Sequence, residues 1–169
     1  MRTAAIVTVG SELVEGLRID TNTSEIARAL NAVGLTVLEA TSVGDQVDLL
    51  TEVLKRTTAL CDLVIVTGGL GPTHDDVTRE AASKALGVPL TRDPRIEELL
   101  TPIAQRHAQP EAAEQVLTQA DVLDGATVID ATTGTAPGLV VSTQRGTLAL
   151  LPGPPTEMRP MLAKVLEGI

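Results

Sequence analysis

The residues most able to do chemistry lie together at positions 67–80, where the sequence reads TGGLGPTHDDVTRE. Three glycines and one proline come first, and the adjacent carboxylates Asp75 and Asp76 follow. Because a glycine loop carries no side chains, its backbone N–H groups can approach an anion such as a phosphate closely. Adjacent carboxylates repel each other unless a cation or a ligand offsets them. The segment is therefore predicted to form a ligand-binding site.

This segment also has a purely structural interpretation. Glycines form tight turns, and an Asp, Thr or Ser before a helix often does no more than cap exposed N–H groups. One carboxylate is enough for a cap, so the acidic pair favours ligand binding. The structural alternative stays open at this point.

The elements around the segment are predicted to bring it to one edge of a sheet. An apolar run at 63–66 precedes the glycines, and a helical pattern follows the acidic pair. Ligands of open parallel sheets bind outside the carboxyl ends of the strands, which is where this order places the loop. Three successive strand and helix pairs predict an α/β fold whose parallel sheet is covered on both faces. The predicted strands are 3–9, 35–43 and 62–67. The first predicted helix begins near residue 22, with Thr21 or Asn22 as its cap, and the other two cover 46–58 and 76–86.

The second half of the chain departs from this rhythm. Four prolines interrupt residues 88–120, which are predicted to be a helical excursion containing one amphipathic helix around 96–103. A strand is predicted at 126–130, and a hairpin at 138–142 and 147–151 around Gly146. The last helix is predicted to begin near Pro155, after an extended LPGPP turn.

Composition narrows the choice of partners. Thirteen basic and 22 acidic side chains give a net charge of −9, which opposes binding to nucleic acid backbones. Phe, Tyr and Trp, whose rings usually stack on the bases of single strands, are absent. The single cysteine, Cys61, precedes an apolar strand and is predicted to be buried. Without an export signal or an 18-residue apolar run, the chain is predicted to be one cytoplasmic domain that binds neither membrane nor nucleic acid.

Six stretches, in the same order along the chain, resemble the N-terminal domain of the competence/damage-inducible CinA proteins. That family belongs to the wider molybdopterin-binding fold of molybdenum cofactor biosynthesis proteins. The resemblance spans residues 1–169 as a single domain and implies a three-layer α/β/α sandwich with a mostly parallel sheet. The matching stretches are VGSELVEG at 9–16, DTNTSEIARAL at 20–30, VGDQ at 43–46, TGGLGPTHDDVTRE at 67–80, GTAPG at 134–138 and LPGPPTEM at 151–158.

The resemblance also implies an activity. CinA-like N-terminal domains are expected to hydrolyse the pyrophosphate bond of ADP-ribose with a divalent metal ion, Mg, Mn or Co. In the molybdenum branch the related chemistry is adenylyl transfer that activates molybdopterin. Three interpretations therefore stay open: a metal-dependent pyrophosphatase, a molybdopterin or nucleotide binding module without turnover, and a purely structural subunit. A homo-oligomer, dimer or trimer, is expected, and the C-terminal amidase domain of full CinA proteins is expected to be absent.

The family motifs carry over to particular residues of this sequence. Asp45 and Asp76 are the implied catalytic residues and metal ligands, since divalent cations held by carboxylates neutralise charge on phosphate oxygens. Glu12 is a weaker third carboxylate, and for Glu12 and Glu80 a solvated position near a helix start is an equal alternative. His74 is a weaker acid or base. The residues predicted to bind substrate are Gly10, Glu12, Asn22, Gly68, Gly69, Gly71, Pro72, Thr73, Asp75, Thr78, Thr135, Pro137, Gly138, Pro152 and Gly153.

The chain departs from the family pattern in one segment. Where CinA relatives usually carry Asn-Arg-Lys-Gln-Ala, this chain has VLTQA at 116–120. The two basic side chains are missing. If such groups normally touch phosphate, this chain is expected to bind dinucleotides more weakly or to have changed the reaction.

Overall fold

The computed structural model describes residues 2–168, and its first half consists of three strand and helix pairs. The predicted strands and helices are confirmed to within a few residues, and a four-residue helix after the first strand is added to them. The third predicted helix begins at Thr78 instead of residue 76, because Asp76 stays in the preceding loop. These elements are β1 (Thr3–Val9), α1 (Ser11–Val14), α2 (Asn22–Ala32), β2 (Thr36–Val43), α3 (Val47–Leu60), β3 (Leu63–Thr67) and α4 (Thr78–Leu86).

The excursion at 88–120 is more elaborate than predicted. Prolines begin both of its helices, at a position where their missing N–H costs no hydrogen bond. The helix predicted around 96–103 is confirmed, but a second helix and two strands of the excursion were not predicted. Each of these strands has only three residues, too few to show a period. The elements are β4 (Leu90–Arg92), α5 (Pro94–Ala104), α6 (Pro110–Leu117), a 3-10 turn (Thr118–Ala120) and β5 (Asp121–Leu123), and β4 pairs with β5 in a small antiparallel sheet.

The chain then completes the main sheet. The predicted strand and hairpin are observed as β6 (Thr127–Ile129), β7 (Gly138–Ser142) and β8 (Thr147–Leu151), followed by α7 (Pro155–Glu167). The six strands lie in the order β2-β1-β3-β8-β7-β6. Strands β2, β1, β3 and β8 are parallel, while β7 runs antiparallel to both of its neighbours. The sheet is therefore mostly parallel, as expected.

The core confirms the three-layer arrangement. Successive strand residues point to opposite faces, and β1 is buried on both. Val7, Val66 and Leu150 belong to the cluster that α3 to α6 cover, whereas Ile6, Ile65 and Ala149 belong to the cluster that α2 and α7 cover. A sheet that is buried on both faces explains why its central strands read as continuous apolar runs rather than alternating ones.

The helices are short. The longest one in the described part of the chain, α3, has 14 residues, whereas a span of the hydrocarbon core takes about 20 apolar residues. Within residues 2–168, no helix has the length and apolar character needed to cross a membrane.

Candidate functional site

A cavity of about 520 Å³ opens at the carboxyl ends of the parallel strands. Most of its wall comes from the segments that follow β1, β2, β3 and β8, at the edge predicted from the order of elements, and Gln119 with residues 134–136 completes it. A volume of this size suits a small-molecule ligand, for which pockets of about 300–1,000 Å³ are usual. The charged residues that line it are the six acids Glu12, Asp20, Asp45, Asp75, Asp76 and Glu157 and one base, Arg18.

The glycine loop after β3 forms one wall of the cavity. Gly68 has a φ of +103°, and a Cβ placed on it would lie 2.3 Å from the carbonyl oxygen of Val9. Gly69 has a φ of +66°, and its Cβ would lie 2.3 Å from Oγ1 of Thr78. Both glycines are therefore required by the close packing of the loop against the end of β1 and the start of α4.

The glycine loop also contains peptide N–H groups without hydrogen-bond partners. In the described part of the chain, the backbone N–H groups of Gly69 and Leu70 have no acceptor. The N–H of Gly68, by contrast, donates to the carbonyl of Leu151 at 3.0 Å. Consecutive N–H groups without partners form a local positive field that can bind an anion.

Asp76 binds the glycine loop instead of opening the following helix. Its Oδ1 accepts from the N–H of Gly71 at 2.7 Å, and its Oδ2 accepts from the N–H and the hydroxyl of Thr73 at 2.8 and 2.6 Å. An ionised carboxylate offers about four lone-pair sites, so about one remains on Oδ1 for a water or a metal ion. Asp76 therefore does bind backbone N–H groups, as the purely structural interpretation of this segment proposed, although those groups belong to the loop and not to the helix.

Asp45 is less engaged with its own surroundings. Its Oδ2 accepts from the N–H of Ser11 at 2.7 Å, and the hydroxyl of Ser11 accepts from the N–H of Asp45 at 3.1 Å. This reciprocal pair ties the loop after β2 to the start of α1. Since only one of about four lone-pair sites is used, Asp45 keeps more capacity for a cation than Asp76 does.

Most of the predicted substrate-binding residues line this cavity, and three do not. Thr78 is fully buried, and its hydroxyl donates to the carbonyl of Gly68 at 2.7 Å, so it supports the loop from behind. Pro137 and Gly138 are buried at the start of β7, where the chain enters the sheet. The predicted residues on the cavity wall are Gly10, Glu12, Asn22, Asp45, Gly68, Gly69, Gly71, Pro72, Thr73, Asp75, Asp76, Thr135, Pro152 and Gly153.

Two weaker candidates lie outside the cavity. Glu80 is exposed on α4 and pairs with Lys84, 3.0 Å away on the same helix. Of its two interpretations, site residue or solvated carboxylate near a helix start, the structure therefore agrees with the second. His74 is exposed, and its Nε2 lies 2.6 Å from the side-chain amide of Gln115. Neither side chain contributes to the wall of the cavity.

Asp20 is a site residue that the sequence analysis did not single out. Its carboxylate accepts from the hydroxyl of Thr8 at 3.0 Å and from the N–H and hydroxyl of Thr23 at 2.9 and 2.6 Å. It thus does the capping that was predicted for Thr21 or Asn22, neither of which makes a side-chain cap bond. An acidic residue three positions before Thr23 was the available signal.

Asn22 joins two strands at the cavity edge. Its amide nitrogen donates to Oγ1 of Thr67 at 3.1 Å and to the carbonyl of Gly153 at 2.8 Å. The hydroxyl of Thr67 donates in turn to the carbonyl of Pro152. Asn22 therefore holds the end of β3 and the loop after β8 together, which was the structural alternative to contacting a base.

The departure at 116–120 has a clear structural setting. Val116 is buried, and Leu117 packs against the same apolar cluster. Only Gln119 of this segment lines the cavity, where its Oε1 accepts from the hydroxyl of Thr135 at 2.7 Å. No basic side chain from this segment reaches the wall, which leaves Arg18 as the lining cation among the described residues.

Glu157 stands apart electrostatically from the other lining acids. It lies in the first turn of α7, against Gly134, where an added Cβ would come within 2.3 Å of its Oε2. Burial raises the pKa of its carboxyl above the ordinary value. The sequence could not reveal this, because the desolvation depends on a loop more than 20 positions away.

A metal ion at this site would rely on few protein ligands. In residues 2–168, no group of three or more His, Cys, Asp or Glu side chains is arranged to hold a metal ion. Magnesium is commonly bound by one or two carboxylates, with waters and substrate phosphates completing its octahedron. Among residues 2–168 the site therefore has no preformed metal cage.

The fold and the cavity define an α/β domain that presents a ligand-sized hollow at the ends of its parallel strands. A family model described as "Probable molybdopterin binding domain" matches residues 5–169. The solved structure of CinA from Thermoplasma acidophilum, a protein of unknown function, is 30% identical, with a TM-score of 0.90 over 99% of this chain and 97% of that one. The chain therefore belongs to the molybdopterin-binding domain family, among its CinA-like members.

Other relatives agree with this assignment. A CinA-like protein of Fervidobacterium nodosum is 39% identical over 170 residues, which cover 100% of this chain and 41% of that protein. The chain thus spans about two fifths of the length of such relatives. The MoaB molybdopterin biosynthesis enzyme of Thermus thermophilus has a TM-score of 0.68 over 100% of this chain and 92% of that one. At 23% identity, this last likeness supports the fold alone.

Proposed function

We propose that this domain hydrolyses the pyrophosphate bond of ADP-ribose or a similar phosphoric anhydride with the help of a divalent metal ion. The observation that carries the proposal is the charge of the cavity, whose wall has six carboxylates and one arginine beside a bare glycine loop. A diphosphate would be repelled by those carboxylates unless a cation lay between them. A bound Mg²⁺, Mn²⁺ or Co²⁺ would supply that charge and activate a water.

We assign the roles of the carboxylates by how many of their lone-pair sites are free of hydrogen bonds. Asp45, with one hydrogen bond to its carboxylate, is the proposed principal metal ligand. Asp76 is the proposed second ligand or water-orienting group, through its remaining site on Oδ1. The unpartnered N–H groups of Gly69 and Leu70 would donate to a phosphate oxygen, and Arg18 would meet charge at the rim of the cavity.

A binding module without turnover is the second candidate, and one observation favours it. Three donors of its own loop already occupy the carboxylate of Asp76, which reduces its availability for catalysis. In that case the domain would hold a nucleotide or a molybdopterin-type ligand in the same cavity. The fold shared with molybdopterin biosynthesis proteins agrees equally well with this alternative.

The experiment that separates the two uses purified protein, ADP-ribose and Mg²⁺, Mn²⁺ or Co²⁺, with chromatography to detect AMP and ribose 5-phosphate. Metal-dependent product that is lost in Asp45→Asn and kept in the control Glu80→Gln supports hydrolysis. Glu80 is a suitable control because it is acidic but lies outside the cavity.

Binding is measured in parallel through thermal unfolding. A ligand at 100 times its Kd stabilises the folded state by about 2.7 kcal/mol. A shift with ADP-ribose or AMP but without product supports the binding module. Neither shift nor product would contradict both candidates.

We also infer that the domain acts in the cytoplasm as a homo-oligomer, a dimer or a trimer. Three apolar side chains beside the cavity, Val14, Leu17 and Ile19, are 58, 76 and 84% exposed. Such a concentration of exposed apolar area suits a contact between subunits. Light scattering of the purified chain tests this, and a monomer at all accessible concentrations would contradict it.

A further inference from the structure

Arg79 is a buried cation directly behind the glycine loop. The residue is only 5% exposed, in the first turn of α4. Its Nη1 donates to the carbonyl of Leu70 at 2.8 Å, and its Nη2 donates to the carbonyl of Gly71 at 3.0 Å. Both acceptors belong to the loop that borders the cavity, so the guanidinium holds this loop through two hydrogen bonds.

Asp76 also forms a hydrogen bond with this loop. The carbonyl of Leu70 and the N–H of Gly71 are the two ends of one peptide group. Arg79 donates to the carbonyl end, and Asp76 accepts from the N–H end at 2.7 Å. A cation and an anion therefore act through a single peptide, and each polarises it in the sense that strengthens the bond to the other.

The second acceptor of Arg79 is the carbonyl of the next peptide, which joins Gly71 to Pro72. Since proline has no N–H, this peptide can form hydrogen bonds only through its carbonyl. Its fork can hold two consecutive carbonyls at once, which a single ammonium group on a flexible stem could not do with the same geometry.

Charge makes the arrangement unusual. Burying a cation is costly unless it is paired, and among the described residues Arg79 makes no ion pair within 4.0 Å. The negative groups that act on it electrostatically are Asp76 and Asp121. An anionic ligand on the cavity side of the loop would add to that compensation.

We propose that Arg79 is a positioning residue that, through the Leu70–Gly71 peptide, fixes the glycine loop for an anionic ligand and orients Asp76 for the cation that accompanies that ligand. Its importance for the ligand rests on the proposed function, whereas its hold on the loop does not. Two separable consequences follow: the loop loosens when Arg79 is changed, and binding of a metal-bound phosphate weakens because the N–H groups of the loop and the cation held by Asp76 no longer converge on it.

The first measurement is amide hydrogen exchange of the ligand-free protein, with wild type, Arg79→Lys and Arg79→Met compared. We expect the Gly71 amide to exchange at least about tenfold faster in Arg79→Met, with an intermediate rate in Arg79→Lys, while β3 amides stay protected. The matched control is Arg145→Met, since Arg145 pairs with Asp62 at the opposite end of β3. If Arg79→Met does not fold, Arg79→Lys alone decides.

The second measurement is the Kd of inorganic pyrophosphate with Mg²⁺, taken well below the unfolding temperature of each variant. Because Arg79 acts on the ligand only through the Leu70–Gly71 peptide, and coupling through such a contact is typically about 0.5–2 kcal/mol, we expect a rise in Kd of about threefold or more in Arg79→Met and none in Arg145→Met. Partial recovery in Arg79→Lys would separate charge from fork geometry.

The outcomes distinguish this inference from the proposed function. Wild-type protein that binds no pyrophosphate would contradict the proposed function, yet the exchange rates would still test the hold on the loop. Unchanged exchange at Gly71, or equal acceleration of all amides in proportion to lost global stability, would overturn the role of Arg79. Faster loop exchange with unaltered pyrophosphate affinity would overturn its connection to the ligand.

Discussion

Replacing Asp45 and Asp76 separately by alanine should have opposite effects on two quantities: Asp76→Ala should lose more stability, and Asp45→Ala should lose more affinity for a metal ion. Asp76 accepts one partly buried hydrogen bond from Gly71 and two exposed ones from Thr73, whereas Asp45 accepts a single partly buried bond from Ser11. A hydrogen bond to a charged group contributes about 1.5–3 kcal/mol when buried, and exposed bonds are mostly replaced by water.

The expected magnitudes follow from this difference. Asp76→Ala should lower the free energy of unfolding by about 2–3 kcal/mol, and Asp45→Ala by about 1–2 kcal/mol. For a domain of this size, about 1 kcal/mol corresponds to roughly 2–4 °C in Tm. For Mn²⁺ binding in the presence of AMP, the order should reverse, because Asp45 has more unused lone-pair sites.

Urea unfolding measures the first quantity, and isothermal titration with Mn²⁺ and AMP measures the second. Asp75→Ala is the stability control, since Asp75 is exposed and lies beside Asp76. A larger stability loss in Asp45→Ala, or a larger loss of metal affinity in Asp76→Ala, would show that counting occupied lone pairs misjudges these carboxylates.

Three further outcomes are expected. Gly68→Ala should cost at least about 3 kcal/mol, because its Cβ would lie 2.3 Å from a backbone oxygen at a φ of +103°; Gly16→Ala, with open space at a φ of +73°, should cost about 1 kcal/mol, and similar Tm values would refute this. Arg18→Gln should raise the Kd of ADP-ribose about threefold or more and reduce its salt dependence, as titration at two ionic strengths would check. Because burial raises the pKa of Glu157, its contribution to stability is present at low pH and is lost as the pH rises through the folded-state pKa. Glu157→Gln should therefore be more stable than wild type at pH about 7 and equal to it below about 4, and urea unfolding at both pH values would expose an opposite trend.

The central strands were predictable because they are buried on both faces. Ile65 and Val66 face opposite clusters, so β3 reads as one apolar run between polar segments. The excursion was harder to predict. Its strands β4 and β5 are stabilised by pairing with each other across about 30 positions, and neither has a pattern of its own.

The site shows the same division between local and distant causes. The glycine loop was recognisable because Gly68 and Gly69 adopt positive φ values that other residues rarely adopt. Thr78 follows the same loop, yet its hydroxyl turns inward to Gly68, and no local pattern distinguishes a hydroxyl that faces a cavity from one that supports it.

Local patterns therefore establish the layers, the strands and helices of the main sheet, and the end of the sheet at which a ligand would sit, since these depend on hydrophobic period and on backbone conformation. Only the folded molecule decides which carboxylates are free and which cations are buried. Asp45 meets Ser11, Glu157 meets Gly134, and Arg79 reaches the carbonyls of the glycine loop. Hydrogen-bond occupancy and desolvation arise from neighbours that packing brings together, and a residue's type does not record them.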